Sequence, residues 1–181
     1  PARGKQTVPF TISVPNSASP GEQNGCIVLQ EKKEATFQGG IGLNFRTALR
    51  VAVLVPGEVV KQLDAKSLDL KVTNRHVVAA PGVLNTGNVS LDTDVQVFLK
   101  SAIGLTVDSQ KNTFPVLRDQ PTTWNFELAR PFWGGWYKAS YNLSYNAAPD
   151  SYIGASEQAK DIKTITGPQK WIFVAPHPLA L

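Results

Sequence analysis

The stretch Tyr137-Lys138-Ala139-Ser140-Tyr141-Asn142-Leu143-Ser144-Tyr145 alternates apolar and polar residues without a break. Successive side chains on a β-strand point to opposite faces. A period of two therefore puts Tyr137, Ala139, Tyr141, Leu143 and Tyr145 on one face and the polar residues on the other. The same period recurs at Val8, Phe10, Ile12 and Val14, where Pro9 argues for an edge position. It returns at Leu49, Val51, Val53 and Val55, at Leu68, Leu70 and Val72, at Val95, Val97 and Leu99, and at Trp124, Phe126 and Leu128. Gly25–Leu29, Ile103–Val107 and Lys170–Ala175 read as further short strands, the second followed by a polar turn over Asp108–Asn112. Turn formers punctuate the runs: Pro20-Gly21, a charged tip at Glu31–Glu34, Pro56-Gly57, and Asn85-Thr86-Gly87-Asn88. One helical turn is predicted near Ser156–Ile162. Strands recurring every ~10 residues predict an all-β fold of the immunoglobulin-like sandwich kind.

Composition is consistent with that reading. The 181 residues are 42% hydrophobic and 18% charged, with thirteen Pro and fourteen Gly. Such a chain buries about two-thirds of its unfolded surface and needs no covalent staple. Its net charge is +4, but the basic residues are dispersed, and the densest run, Lys32-Lys33, is flanked by Glu31 and Glu34. Nucleic-acid binders cluster their cations on one face, so this distribution argues against such a partner. Cys26 is the single cysteine and excludes an intrachain disulfide. Within Cys26-Ile27-Val28-Leu29 it reads as a small buried hydrophobe. No apolar run approaches the length of a membrane span.

Catalytic signatures are missing. There is no nucleophile elbow, phosphate loop, dinucleotide fingerprint or zinc-protease motif. Gly39-Gly40-Ile41-Gly42 lacks the Lys of a phosphate loop and reads as a bend. His76 would need a carboxylate such as Asp69 or Asp92 to act as a base, with no recognisable nucleophile to serve. Asp92 and Asp94 share a strand face but supply too few oxygens for calcium. Glu127 and Asp119 are the carboxylates a glycan-cleaving enzyme would use, with no spacing that pairs them. No catalytic residue, metal site or cofactor is therefore expected. The aromatic residues are the informative group. Trp124 and Tyr141 read as core. The loop-like Phe132-Trp133-Gly134-Gly135-Trp136 and adjoining Tyr137 offer flat apolar rings suited to stacking on sugars or anchoring a partner. Phe132, Trp133, Trp136 and Tyr137 are the predicted ligand-binding residues.

Two stretches resemble a known family. Gln6–Pro15 followed by Ala18-Ser19-Pro20-Gly21-Glu22-Gln23-Asn24-Gly25-Cys26-Ile27-Val28 is similar to the end of the first domain of WxL-interacting proteins, and Ile41–Gly57 to its closing strand. Leu84-Asn85-Thr86-Gly87-Asn88-Val89 resembles a turn of the second domain. Gly104–Val107, Phe114–Leu117 and Gly135–Ala139 fit its later strands. The family comprises Gram-positive surface proteins with tandem immunoglobulin-like domains. The resemblance implies binding of peptidoglycan or wall glycan, together with a partner surface protein, and offers no catalytic residues to carry over. The chain departs from the pattern in lacking the first domain's opening strands, in Cys26 where Gly is typical, and in an insertion over 149–167.

The expectation is an extracellular, non-catalytic cell-surface binding or adhesion protein of bacterial type, any anchor lying outside this chain. Residues 1–57 would be the C-terminal part of a first sandwich, 58–65 a linker, and 66–181 a second sandwich with an insertion or tail after 148. The first sandwich is short of strands, which implies a strand-donating chain or segment. The rival expectation is a self-assembling structural subunit of a pilus, fibre or virus coat, with the Phe10-bearing strand as donor.

Overall fold

The computed structural model describes residues 7–30, 46–148 and 161–177. Among them are eleven strands and no helix, so no helix there is long and apolar enough to cross a membrane. The strands are β1 (Gly21–Gln30), β2 (Arg46–Val55), β3 (Leu63–Val72), β4 (His76–Asn85), β5 (Leu91–Ser101), β6 (Thr106–Val116), β7 (Pro121–Thr123), β8 (Phe126–Ala129), β9 (Gly135–Asn146), β10 (Ile162–Thr166) and β11 (Lys170–Val174). All ladders are antiparallel.

β3 to β11 form two sheets with a shared core. One runs β3-β4, with β7 and β8 end to end along the far edge of β4. The other runs β6-β5-β9, with β10 and β11 end to end along β9. The alternation at Tyr137–Tyr145 decides the second sheet: Tyr137, Ala139, Tyr141, Leu143 and Tyr145 are all buried, beside Val95, Val97 and Leu99 of β5. Val77, Ala79, Val83, Leu68, Phe126 and Leu128 close the core from the first sheet. The Tyr141 hydroxyl donates to the Gly82 carbonyl at 3.2 Å and so joins β9 to β4 across the core.

Pro81 lies within the central strand β4, a position proline normally avoids because it cannot donate to a ladder. The pairing accommodates it. β7 covers Gly82–Leu84 and β8 covers His76–Ala79, so Ala80 and Pro81 face the break at Trp124-Asn125. Trp124 packs in that break, stacked on Phe114 with ring centroids 4.7 Å apart.

β1 and β2 stand apart as a two-stranded arm. Its root is where the two Pro-Gly pairs meet. A side chain on Gly21 (φ 108°) would strike the Asn88 carbonyl, and one on Gly57 (φ 149°) would strike Pro20. Both turns therefore require glycine. Glu22 is buried at this root: Ser90 donates to its carboxylate from the backbone at 2.7 Å and from the hydroxyl at 2.9 Å, and Arg50 pairs with it. Asn88 ties the same root further, donating to the Glu58 carbonyl at 2.7 Å and accepting from the Val60 amide at 2.8 Å.

Several expectations change. Residues 7–15 make no ladder, and Val8, Phe10, Ile12 and Val14 are exposed, so their alternation does not form the expected edge strand. Cys26 is exposed, since a two-stranded arm has nothing to bury it against. The predicted linker 58–65 ends early: Leu63 already belongs to β3 and to the core. The strand and turn at 103–112 exchange places. Ser101–Leu105 is the turn, with Gly104 at φ 86°, and Asp108–Asn112 lies inside β6. β6 is an edge strand held by its backbone pairing to β5, so polar side chains suit it. The Gly-rich bend at 39–42, the tip at 31–34 and most of the turn at 156–162 lie outside the described residues, while Ile162 opens β10.

Candidate functional site

The outward face of β9 carries Trp136, Lys138, Ser140, Asn142 and Ser144, because the inward set is fixed by the core. β11 lies antiparallel to it, placing Phe173 opposite Trp136 and Trp171 opposite Lys138. Ile172 and Val174 turn inward against the core, so Trp171 and Phe173 must face solvent. The Trp136 and Phe173 rings meet edge to face at 5.5 Å, and the Lys138 ammonium sits 5.9 Å from the Trp171 ring. On the other side of β9, Lys100 is the register partner of Lys138 and lies 5.6 Å from the Phe98 ring.

The loop between β8 and β9 extends this surface. Phe132 and Trp133 meet edge to face at 5.3 Å, and Phe132 stacks on His177 at 5.7 Å. Gly134 permits the approach: at φ 70°, a side chain there would collide with Pro176 and the Val174 carbonyl. The His177 amide donates to the Phe132 carbonyl at 2.9 Å, and Arg130 donates to the Ala175 carbonyl at 2.9 Å, fixing the loop to the segment after β11. Trp133, Trp136, Phe173 and Trp171 are 78%, 59%, 54% and 51% exposed. Four large rings left in water at one pole of a sandwich form an apolar surface of the kind that marks an interaction site.

Of the predicted residues, Phe132, Trp133 and Trp136 belong to this platform. Tyr137 does not. Its side chain is buried and its hydroxyl donates back to the Gly134 carbonyl at 3.0 Å, so it shapes the loop from beneath. The alternation that makes Tyr141 a core residue applies equally to Tyr137, four positions earlier. Trp171, Phe173 and His177 were not predicted. The signal was there in part: if Ile172 and Val174 of the last strand point inward, Trp171 and Phe173 point outward. That they adjoin Trp136 depends on the pairing of β11 with β9.

No family model, curated protein or solved structure matches this chain. The chemistry of the site therefore rests on its own residues.

Among the described residues no three His, Cys, Asp or Glu side chains converge as metal ligands would. Asp94 is engaged otherwise: Lys111 binds it at 2.6 Å and Thr113 at 2.5 Å, and these hydrogen bonds hold its carboxyl below the usual carboxylate range. Asp92 is on β5, in the sheet opposite His76. The carboxylate nearest His76 is Glu127 at 3.8 Å, in a solvent-exposed contact, and Asp69 is paired with Lys170 at 3.6 Å. Asp119 is bound by Arg118 at 2.9 Å.

Proposed function

We propose that this chain is a non-catalytic binding module whose aromatic platform stacks on the rings of a cell-surface glycan. The observation that carries the reading is the set of exposed rings Trp136, Trp171 and Phe173 on two paired strands, with Trp133 and Phe132 beside them. A pyranose presents an apolar face to a ring and hydroxyls at its rim, and Ser140, Asn142 and Gln96 stand further along the same sheet face to meet such hydroxyls. Lys138 and Lys100 add positive charge next to the rings, which favours an anionic wall polymer over a neutral one. A protein partner with an acidic, apolar patch fits the same surface less specifically.

The scaffold is proposed to be an immunoglobulin-type sandwich. Its order, β3-β4-β8 facing β6-β5-β9-β11, corresponds to strands A-B-E and C′-C-F-G of that fold. The Tyr137 hydroxyl, bonded to a carbonyl just upstream at the start of β9, resembles the tyrosine corner of such domains. In this reading the protein acts outside the cell as an adhesion or wall-binding component.

The test is co-sedimentation with insoluble peptidoglycan and with wall polymer carrying anionic substituents. Wild type is expected to be retained, and Trp136→Ala and Trp171→Ala each to weaken retention about thirtyfold, the equivalent of about 2 kcal/mol. Thr86→Ala, whose exposed hydroxyl lies at the opposite pole of the sandwich, should leave retention unchanged. Absence of wild-type retention on either material sinks the glycan reading.

A further inference from the structure

The arm formed by β1 and β2 has two unlike faces. Register puts Glu22, Asn24, Cys26, Arg50 and Arg46 on one, and this face is tied to the sandwich through Glu22 and Arg50. The other carries Gln23, Gly25, Ile27 and Leu29 against Thr47, Leu49, Val51, Val53 and Val55, without a single charge. Such a face in water is costly, at ~25 cal/mol per Å² of apolar surface. Among the described residues no third strand pairs with either outer edge of the arm, although at its root the Glu22 amide donates to the Asn88 carbonyl at 2.7 Å.

The same chain carries a matching segment with no ladder of its own. Thr7–Val14 is uncharged and alternates Val8, Phe10, Ile12 and Val14, all exposed. Its C-terminal end, Ile12–Pro15, lies over the uncharged face and leaves a cleft of about 550 Å³, floored by Ile27, Val51, Val53 and Val55. Leu29 and Leu49, further out along the arm, stay exposed, as do Val8 and Phe10. Among the described residues, the chain thus holds a strand-like segment without a ladder and a two-stranded sheet whose uncharged face is covered only near its root.

We propose that the arm is an assembly element: Thr7–Val14 of one copy adds to the uncharged, open-edged arm of a second copy. Eight residues of strand-type alternation match ten-residue strands in length, period and lack of charge. A second copy is the favoured occupant because every chain supplies one donor and one acceptor in equal number. The hinge is Asn16–Pro20, whose turn is closed by the Ala18 amide donating to the Pro15 carbonyl at 3.0 Å. Exchange of an identical element about such a hinge is a low-cost route to association. Donor and acceptor are different surfaces, so the contact is head to tail and yields a ring or an open filament.

The arm root adjoins Asn88 and Ser90, just before β5, whereas the aromatic platform adjoins Ser101 at the far end of β5 with Gly135 and Val174 beside it. An assembly through the arm thus leaves the platforms free, and the proposal stands or falls separately from glycan binding.

Sedimentation velocity of the full chain against its Phe10→Asp variant is the first measurement. Species larger than the monomer are expected for wild type and are expected to be lost in the variant. Far-UV circular dichroism should stay unchanged, since Phe10 touches no part of the core. The second measurement uses Val14→Cys and Val53→Cys in two separate, differently tagged Cys26→Ser chains, mixed and treated with a short bismaleimide. A covalent adduct carrying both tags is expected. A wild type that sediments as monomer at its highest soluble concentration overturns the proposal. So does a chain bearing both cysteines that cross-links only within itself.

Discussion

Replacing Asn85 with alanine tests whether the turn at Asn85–Asn88 is the joint on which the molecule depends. Asn85 is fully buried, and its amide makes three hydrogen bonds: to the Val89 carbonyl at 2.8 Å, to the Val116 carbonyl at 3.0 Å, and from the Gly87 amide at 2.9 Å. The first and last close the turn, and the second fastens it to β6. Alanine takes the amide donor from the buried Val89 and Val116 carbonyls, while the Gly87 amide keeps its 3.2 Å bond to the Gln62 carbonyl. At about 1–1.5 kcal/mol for each of the two carbonyls, the loss sums to about 2–3 kcal/mol. A domain of this size would then melt about 5–15 °C lower. The assay is equilibrium urea unfolding followed by tryptophan fluorescence. Thr86→Ala, which removes only a long 3.4 Å exposed bond, serves as the neighbouring control and should change stability by less than about 0.5 kcal/mol. Asn85→Asp keeps the acceptor for Gly87 but turns an oxygen toward two carbonyls, so its loss should exceed that of alanine. A loss below about 1 kcal/mol in Asn85→Ala, or an aspartate variant as stable as wild type, would refute the hydrogen-bond assignment.

Two further outcomes follow from the buried polar groups. Glu22→Ala unties the arm from Ser90 and Arg50, so amides of β1 and β2 should exchange about tenfold faster or more while those of β5 and β9 keep their protection. Unchanged arm exchange would show that Glu22 is not the tether. Burial pushes the Tyr141 phenol from 10.0 up to about 12. Because the folded value is raised, its contribution is complete below the unfolded value and is lost as pH rises toward the folded one. Stability should fall by about 1.4 kcal/mol per pH unit across that window, to about 3 kcal/mol in all. Urea midpoints of wild type and Tyr141→Phe, compared through the same window, isolate this slope, and parallel curves would contradict it.

Local alternation by itself determined which face each side chain takes in those strands where one face is buried and the pattern runs unbroken. Tyr137–Tyr145 and Val95–Leu99 are the clearest cases, because a period of two leaves no second way to bury those residues. β4 was hidden because Pro81-Gly82 interrupts its pattern, and a proline is tolerated there only by the break between β7 and β8, a fact of pairing. β6 was hidden because its polar side chains carry no period, while its hydrogen bonds come from the backbone. The candidate site divides the same way. Trp133 and Trp136 were legible as loop aromatics beside two glycines. Their union with Trp171 and Phe173, some 35 residues further along the chain, required β11 to pair with β9. The burial of Glu22 likewise required an amide from Ser90, 68 residues away. Faces are set by neighbours in the chain, whereas sites and tethers are set by which strands lie side by side, and that is decided only when the two sheets close on one core.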